Sequence, residues 1–262
     1  MLFRSFLMPM SDYLFNLRGG YSEKINIILR TARSNIFALQ HHMGSKLTKD
    51  DYLGSFKEFA EEFLNIDINY VRDKDFGKYS VGNQVSLSAY TFGPYNSITF
   101  ERMIERAERL YNLEARFPDV VLIERGYRPV VADSMNNTWN LTGSASRFIK
   151  NHDSLVEVLR KKYGSRLINA KLEDMSHEDQ INLFANASVV IGQHGAGLCN
   201  IAWTRNPSSV VIELPPSRFD TFRHMCLAKK FDYRLIYENY NKSAPSGSSV
   251  NISSLLDILP NS

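Results

Sequence analysis

From Asp119 onward the chain alternates short β-branched runs with amphipathic segments, and that alternation leaves very few architectures open. Val120-Val-Leu-Ile123 reads as a buried strand, and Asp153 to Tyr163 as a helix with Leu155, Val156 and Leu159 on one face. Leu167-Ile168, Val189-Val-Ile191 and Val210-Val-Ile-Glu-Leu214 read as further strands, the last ended by Pro215-Pro216. Between them, Ser176-His-Glu-Asp179 is a capping-box variant with Asp in place of Glu, opening a helix whose Ile181, Phe184 and Ala187 share a face. Gly197 to Trp203 and Phe219 to Lys230 add two helices, and Tyr233 to Tyr237 one more strand. Strand, covering helix and strand at this spacing imply a mostly parallel sheet with helices on its faces, so the expected fold class is α/β.

The first half is less regular. Ile25 to Leu29 and Ile66 to Val71 are strand candidates, and between them Asp50 to Leu64 reads as a helix with Phe56, Phe59, Ala60 and Phe63 on its apolar face. Ser97 to Leu113 reads as a long helix. This divides the chain into a small N-terminal lobe over 1–115 and a ligand-binding lobe over 116–240. Residues 241–262 form a Ser-, Pro- and Gly-rich link followed by a short helix near Leu255 to Leu259. The stretch from Arg125 to Lys150 is too long for a plain connection, which makes a ligand-contacting loop the expectation.

The turn after Val189-Val-Ile191 carries the most chemistry. Gly192, Gly195 and Gly197 surround Gln193, His194 and Ala196 just before a helix. Glycines there let a phosphate approach the backbone, where first-turn amides and the helix dipole favour its charge. Open α/β sheets bind ligands at this place, outside the carboxyl ends of the strands. Such turns also occur without a ligand, and the spacing Gly-x-x-Gly-x-Gly is not the dinucleotide fingerprint, which argues against a nicotinamide dehydrogenase. Glu213, at the end of the next strand, could accept from both hydroxyls of a ribose or could be a solvated strand end. Arg125 and Arg147 could reach a diphosphate through bidentate bonds; either alone would pass for a surface residue, and their placement singles them out.

The formal charge of +3, with Lys and Arg scattered among acidic residues, favours a small anionic ligand over nucleic acid. Two cysteines, Cys199 and Cys226, sit in apolar segments and are expected to be buried free thiols. The opening MLFRSFLMPM is too short for a signal or an anchor, and no later run approaches membrane-spanning length, so a cytoplasmic location is the expectation.

The run from Glu178 to Asn200, with Ile191-Gly-Gln-His-Gly-Ala-Gly-Leu198 at its centre, and then Val210 to Leu214, resembles the C-terminal signature of glycosyltransferase family 61. Leu122-Ile-Glu-Arg125 and Ser146-Arg-Phe-Ile-Lys-Asn151 resemble that family's arginine-containing blocks. The resemblance, over about 119–236, implies two Rossmann-like lobes of GT-B type and an inverting transfer of a xylose- or N-acetylglucosamine-like sugar. It further implies a UDP-sugar as co-substrate, a glycan or glycoprotein as acceptor, and no obligatory metal or other cofactor. On this reading Arg125 and Arg147 hold the diphosphate, Gln193, His194, Gly195, Ala196 and Gly197 line the pyrophosphate or sugar, and Glu213 meets the ribose. The alternative is an inactive lobe that binds sugar nucleotide or glycan as an assembly partner.

An inverting transfer needs a base for the acceptor hydroxyl. His41 and His42 are candidates, although a pair of helix-surface histidines is the plainer account of them; Asp50, Asp51 and Asp133 have no better claim. Asp73-Lys-Asp75 offers two carboxylates to a cation, but the intervening lysine suits a solvated turn better, and no metal site is expected.

Overall fold

The computed structural model describes Met10, Leu14 and residues 25–31, 52–72, 95–113, 119–125, 148–215, 220–236 and 248–260. Two compact units divide the chain, one over Leu2–Tyr90 and the other over Thr91–Ser262.

In the first unit β1 (Ile25–Thr31) pairs in parallel with β2 (Ile66–Arg72), with Ile25 opposite Ile66. The helix α1 (Tyr52–Leu64) joins them, as a parallel pair requires. Its Phe59, Ala60, Phe63 and Leu64 are buried at i, i+1, i+4 and i+5, one apolar stripe of a helix. Phe59 and Phe63 stack at 5.5 Å between ring centroids.

The second unit opens with α2 (Ser97–Leu110), whose N-cap Asn96 accepts from the Ile98 amide at 3.0 Å. β3 (Asp119–Glu124), α3 (His152–Tyr163) and β4 (Leu167–Lys171) follow. α3 turns Leu155, Leu159 and Tyr163 inward, carries Arg160, Lys161 and Lys162 where the helix dipole favours cations, and stops at Gly164 with φ of 60°. α4 (His177–Ala185) starts at the expected box, where the Asp179 amide donates to Ser176 Oγ at 3.0 Å. β5 (Ala187–Gln193), a 3₁₀ helix (Ala196–Trp203), β6 (Val210–Leu214), α5 (Thr221–Lys229), β7 (Asp232–Leu235) and α6 (Ile252–Ile258) complete the described elements.

Among the described residues the strands form one five-stranded parallel sheet in the order β4-β3-β5-β6-β7. All five residues of β6 are buried, as a parallel strand covered on both faces must be. Side chains alternate between faces. Leu122, Ile191, Ile212 and Leu214 form one core with Leu155 and Leu159 of α3 and Leu255 of α6. The 3₁₀ helix packs against β5, α2, α4 and α5. From β3 the chain first steps outward to β4 and then returns across to β5, so the order reverses between β3 and β5. In such sheets that reversal opens a crevice at the carboxyl ends of the two strands.

The apolar stripe of α2, with Phe100, Met103 and Ala107 buried, belongs to the second unit and packs on the 3₁₀ helix and α5. One expectation changes. The helix expected over Gly197 to Trp203 is 3₁₀. Its buried pairs Leu198/Ile201 and Cys199/Ala202 lie three residues apart, the spacing that eclipses on a three-residue turn. The C-terminal helix packs into the second unit: Leu255 and Leu259 enter the main core, Asn151 Nδ2 donates to the Val250 carbonyl at 2.8 Å, and the Val250 amide donates to Asn151 Oδ1 at 3.0 Å.

Candidate functional site

Arg125 leaves the end of β3 and Gly195 follows the end of β5, on either side of the strand-order reversal. The half-buried guanidinium lies directly on the turn, for a Cβ built at Gly195 would collide with Arg125 Nη2. Only a residue without a side chain admits that approach. Gly192 and Gly197 serve packing instead: a Cβ at Gly192 would meet Ile123 Cδ1 at 2.9 Å, and one at Gly197 would meet Ile123 Cγ2 at 3.1 Å. The three glycines thus close the turn on a hydrophobic floor and leave its polar end to Arg125.

His194 and Glu213 come together, as their consecutive strand ends suggest. Gly192 pairs with Glu213 across β5 and β6, which places His194 just beyond the carboxylate. His194 Nδ1 and Glu213 Oε1 are 2.7 Å apart, and Tyr233 Oη donates to Glu213 Oε2 at 2.6 Å. Glu213 is 0% exposed, so the solvated strand end does not exist. Its two oxygens face the protein's own imidazole and phenol. A buried carboxylate without such donors would cost several kcal/mol of lost solvation, about 1–3 kcal/mol or more per unsatisfied group. The imidazole ring is buried and packs edge-on against Phe222 at 5.0 Å. Burial, and then the Glu213 charge, push the Tyr233 phenol far above its ordinary value, and the same two causes raise the Cys226 thiol. Tyr233 therefore stays an O–H donor, and Cys226 an unreactive thiol.

Gln193 is buried, and its amide donates to the Pro215 carbonyl at 3.4 Å, tying the ends of β5 and β6 together. Ala196 is exposed, while Gly195 and Gly197 are half-buried. Asn200, which the sequence did not single out, donates to the Gly197 carbonyl at 3.2 Å and to Gln180 Oε1 at 3.1 Å, bracing the turn from below. Both cysteines are buried and free, as expected. Arg147, His41, His42, Asp50, Asp51, Asp73, Asp75 and Asp133 lie outside the described residues.

Tyr233 was legible in principle. In a parallel pairing Val211 faces Tyr233, and Glu213 is two residues beyond Val211, so Tyr233 and Glu213 share a face. Alternation also separates Arg125 from its neighbour. Glu124 turns the other way, accepting from Asn169 Nδ2 at 2.7 Å, with His152 Nε2 2.9 Å from Asn169 Oδ1.

A family model described as Glycosyltransferase 61 matches residues 39–211, well over half of the sequence. The chain belongs to glycosyltransferase family 61. A β-1,2-xylosyltransferase of Arabidopsis thaliana is 31% identical over 87 residues, 32% of this chain and 16% of that relative. The match therefore spans about a sixth of the relative's length. The family 61 match takes in Arg125 and the glycine turn and stops two residues before Glu213. No described helix is long and apolar enough to cross a membrane.

Proposed function

We propose that the chain transfers a xylose- or N-acetylglucosamine-like sugar from a UDP-sugar to a hydroxyl of a glycan or glycoprotein, with inversion at the anomeric carbon. Membership of family 61 and the likeness to a β-1,2-xylosyltransferase support glycosyl transfer. The observation that carries the donor assignment is the Arg125 guanidinium seated on Gly195 where the strand order reverses.

In a single displacement the acceptor oxygen bonds to the anomeric carbon as the bond from that carbon to the diphosphate oxygen breaks. The bonding pair leaves on the diphosphate, and a base takes the hydroxyl proton. Arg125 is the group of this site suited to the departing charge, since a guanidinium forms paired, charge-assisted bonds to phosphate oxygens. Arg147 is proposed as its companion, His41 or His42 as the base, and a GT-B division as the setting in which the first unit binds acceptor. No metal or other cofactor is required by this scheme.

The test is a thermal-shift and calorimetric comparison of UDP, uridine, UDP-xylose and UDP-N-acetylglucosamine. Saturation at roughly a hundred times the dissociation constant should stabilise the chain by about 2.7 kcal/mol. UDP should bind far better than uridine, because Arg125 acts on the phosphates; equal affinity for the two removes the diphosphate site. Transfer to an acceptor that survives EDTA supports the metal-free scheme. Binding without transfer or donor hydrolysis points to a non-catalytic partner.

A further inference from the structure

Glu213, His194 and Tyr233 form a chain of side-chain contacts that ends at the glycine turn, and its inner member has no exposure to water. A carboxylate only accepts hydrogen bonds. A hydrogen on His194 Nδ1, 2.7 Å from Glu213 Oε1, therefore points to the carboxylate, and in the tautomer so fixed the lone pair falls on Nε2. Tyr233 Oη occupies the other carboxylate oxygen at 2.6 Å, which stops the carboxylate from rotating. Phe222 lies edge-on to the imidazole at 5.0 Å and limits its tilt. Three elements, β6, β7 and α5, thus converge on the orientation of one ring at the end of β5.

We infer that Glu213 and Tyr233 are positioning residues, which hold His194 as the Nδ1–H tautomer so that Nε2 accepts from a hydroxyl of the bound nucleotide. The inference rests on the nucleotide reading above, and it replaces direct ribose contact by Glu213 with contact through His194. The geometry favours this order. Glu213 is shielded beneath the imidazole and already has a donor on each oxygen, whereas His194 stands in the turn whose backbone meets Arg125.

Two measurements on the full chain test it. With ¹⁵N-labelled histidine, and His194→Gln to assign the resonance, the neutral wild-type ring should show the Nδ1–H pattern; an Nε2–H pattern overturns the inference. UDP titrations of wild type, Glu213→Gln, Tyr233→Phe, His194→Gln and the double variant Glu213→Gln/His194→Gln form the second arm. Glu213→Gln should weaken UDP roughly ten- to hundredfold, the scale of one charged hydrogen bond, and Tyr233→Phe by less in the same direction. In the His194→Gln background the added Glu213→Gln should change affinity by less than about twofold, because both changes break one pathway. A full Glu213→Gln effect in that background means that the carboxylate meets the ligand itself, and overturns the inference. If wild type ignores UDP, the nucleotide reading fails separately, and the ring tautomer still decides whether the positioning chain exists.

Discussion

Glu213 is wholly and Lys229 partly taken out of water in the second unit, and they are held by different kinds of partner. Glu213 has a directional donor on each oxygen, His194 on one side and Tyr233 on the other. The Lys229 amine has one carbonyl, that of Ala202 at 2.9 Å, and otherwise faces the rings of Phe231 at 5.1 Å and Phe100 at 5.2 Å. Ring faces attract a cation but replace little of the hydration it loses. Burial accordingly wins, and pushes the lysine down to about 7 despite the opposing pull of Glu101. The carboxylate network aims a side chain at the strand ends, whereas the lysine pins the last turn of the 3₁₀ helix. One arrangement is built around orientation and the other around closure of the core.

The sharpest way to break this contrast is to delete each charge. Glu213→Ala leaves a buried imidazole N–H and a half-buried phenol without their acceptor, and should cost about 3–5 kcal/mol of unfolding free energy in urea. Lys229→Met keeps most of the stem packed between the rings and leaves one carbonyl short of a donor, so its cost near pH 7 should stay under about 1.5 kcal/mol. Equal losses would mean that the lysine, too, is held by its charge.

A smaller effect per pH unit separates the two groups further. Between about pH 7 and the ordinary lysine value of 10.5, the folded chain keeps the Lys229 amine uncharged while the unfolded chain protonates it. The unfolded state then binds more protons, so stability rises with pH across that window and is lost as pH falls toward 7. The slope from this one group can reach about 1.4 kcal/mol per pH unit. Denaturant midpoints of wild type and Lys229→Met from pH 7 to 10 should diverge, with the variant flatter. Parallel curves would show that the amine is charged in the folded chain and that the ring contacts are sufficient to keep it so.

The contrast also marks how far the sequence could be read. The strands were legible because β5 and β6 are buried on both faces and so consist of apolar, mostly β-branched runs. The glycine turn was legible as a strand-to-helix junction because its glycines directly follow a β-branched run, and the place of Arg125 because it directly follows a strand. The partner of Glu213 was harder. Its proximity to His194 follows from consecutive strand ends, but whether its oxygens face a ligand or the protein depends on Tyr233, and a tyrosine at a strand start is ordinary. Lys229 was not legible at all, since its enclosure depends on Phe100, a residue of the helix that the sequence assigned to the other lobe. The 3₁₀ geometry was hidden for a similar reason: Leu198, Ile201 and Ala202 fit either helical period, and only packing against α2, α4 and α5 selects the tighter turn.

The smallest expected change in stability is also the one that most finely divides the strand-end region from the packing beneath it. Gly192 and Gly195 belong to one turn, yet a methyl group added to each meets different matter. At Gly192 it would lie 2.9 Å from Ile123 Cδ1 and 3.3 Å from Leu198 Cδ2, inside a packed floor that has to give way. Overpacking of that kind costs about 1–3 kcal/mol. At Gly195 it would strike the far end of the Arg125 side chain, which is flexible, and the backbone there is extended with φ of 160°, a conformation open to alanine. Gly195→Ala should therefore lower stability by less than about 0.5 kcal/mol, as a change that strains neither core nor backbone. Its consequence should appear in binding. With the guanidinium displaced from the turn, UDP should lose roughly tenfold in affinity, about 1.4 kcal/mol, while uridine, which offers Arg125 no phosphate, should be unaffected. Unfolding curves paired with UDP and uridine titrations of both variants read the two effects independently. A Gly195→Ala chain that binds UDP as wild type does would show that Arg125 takes no part in holding the diphosphate, and would leave the turn as a packing device throughout.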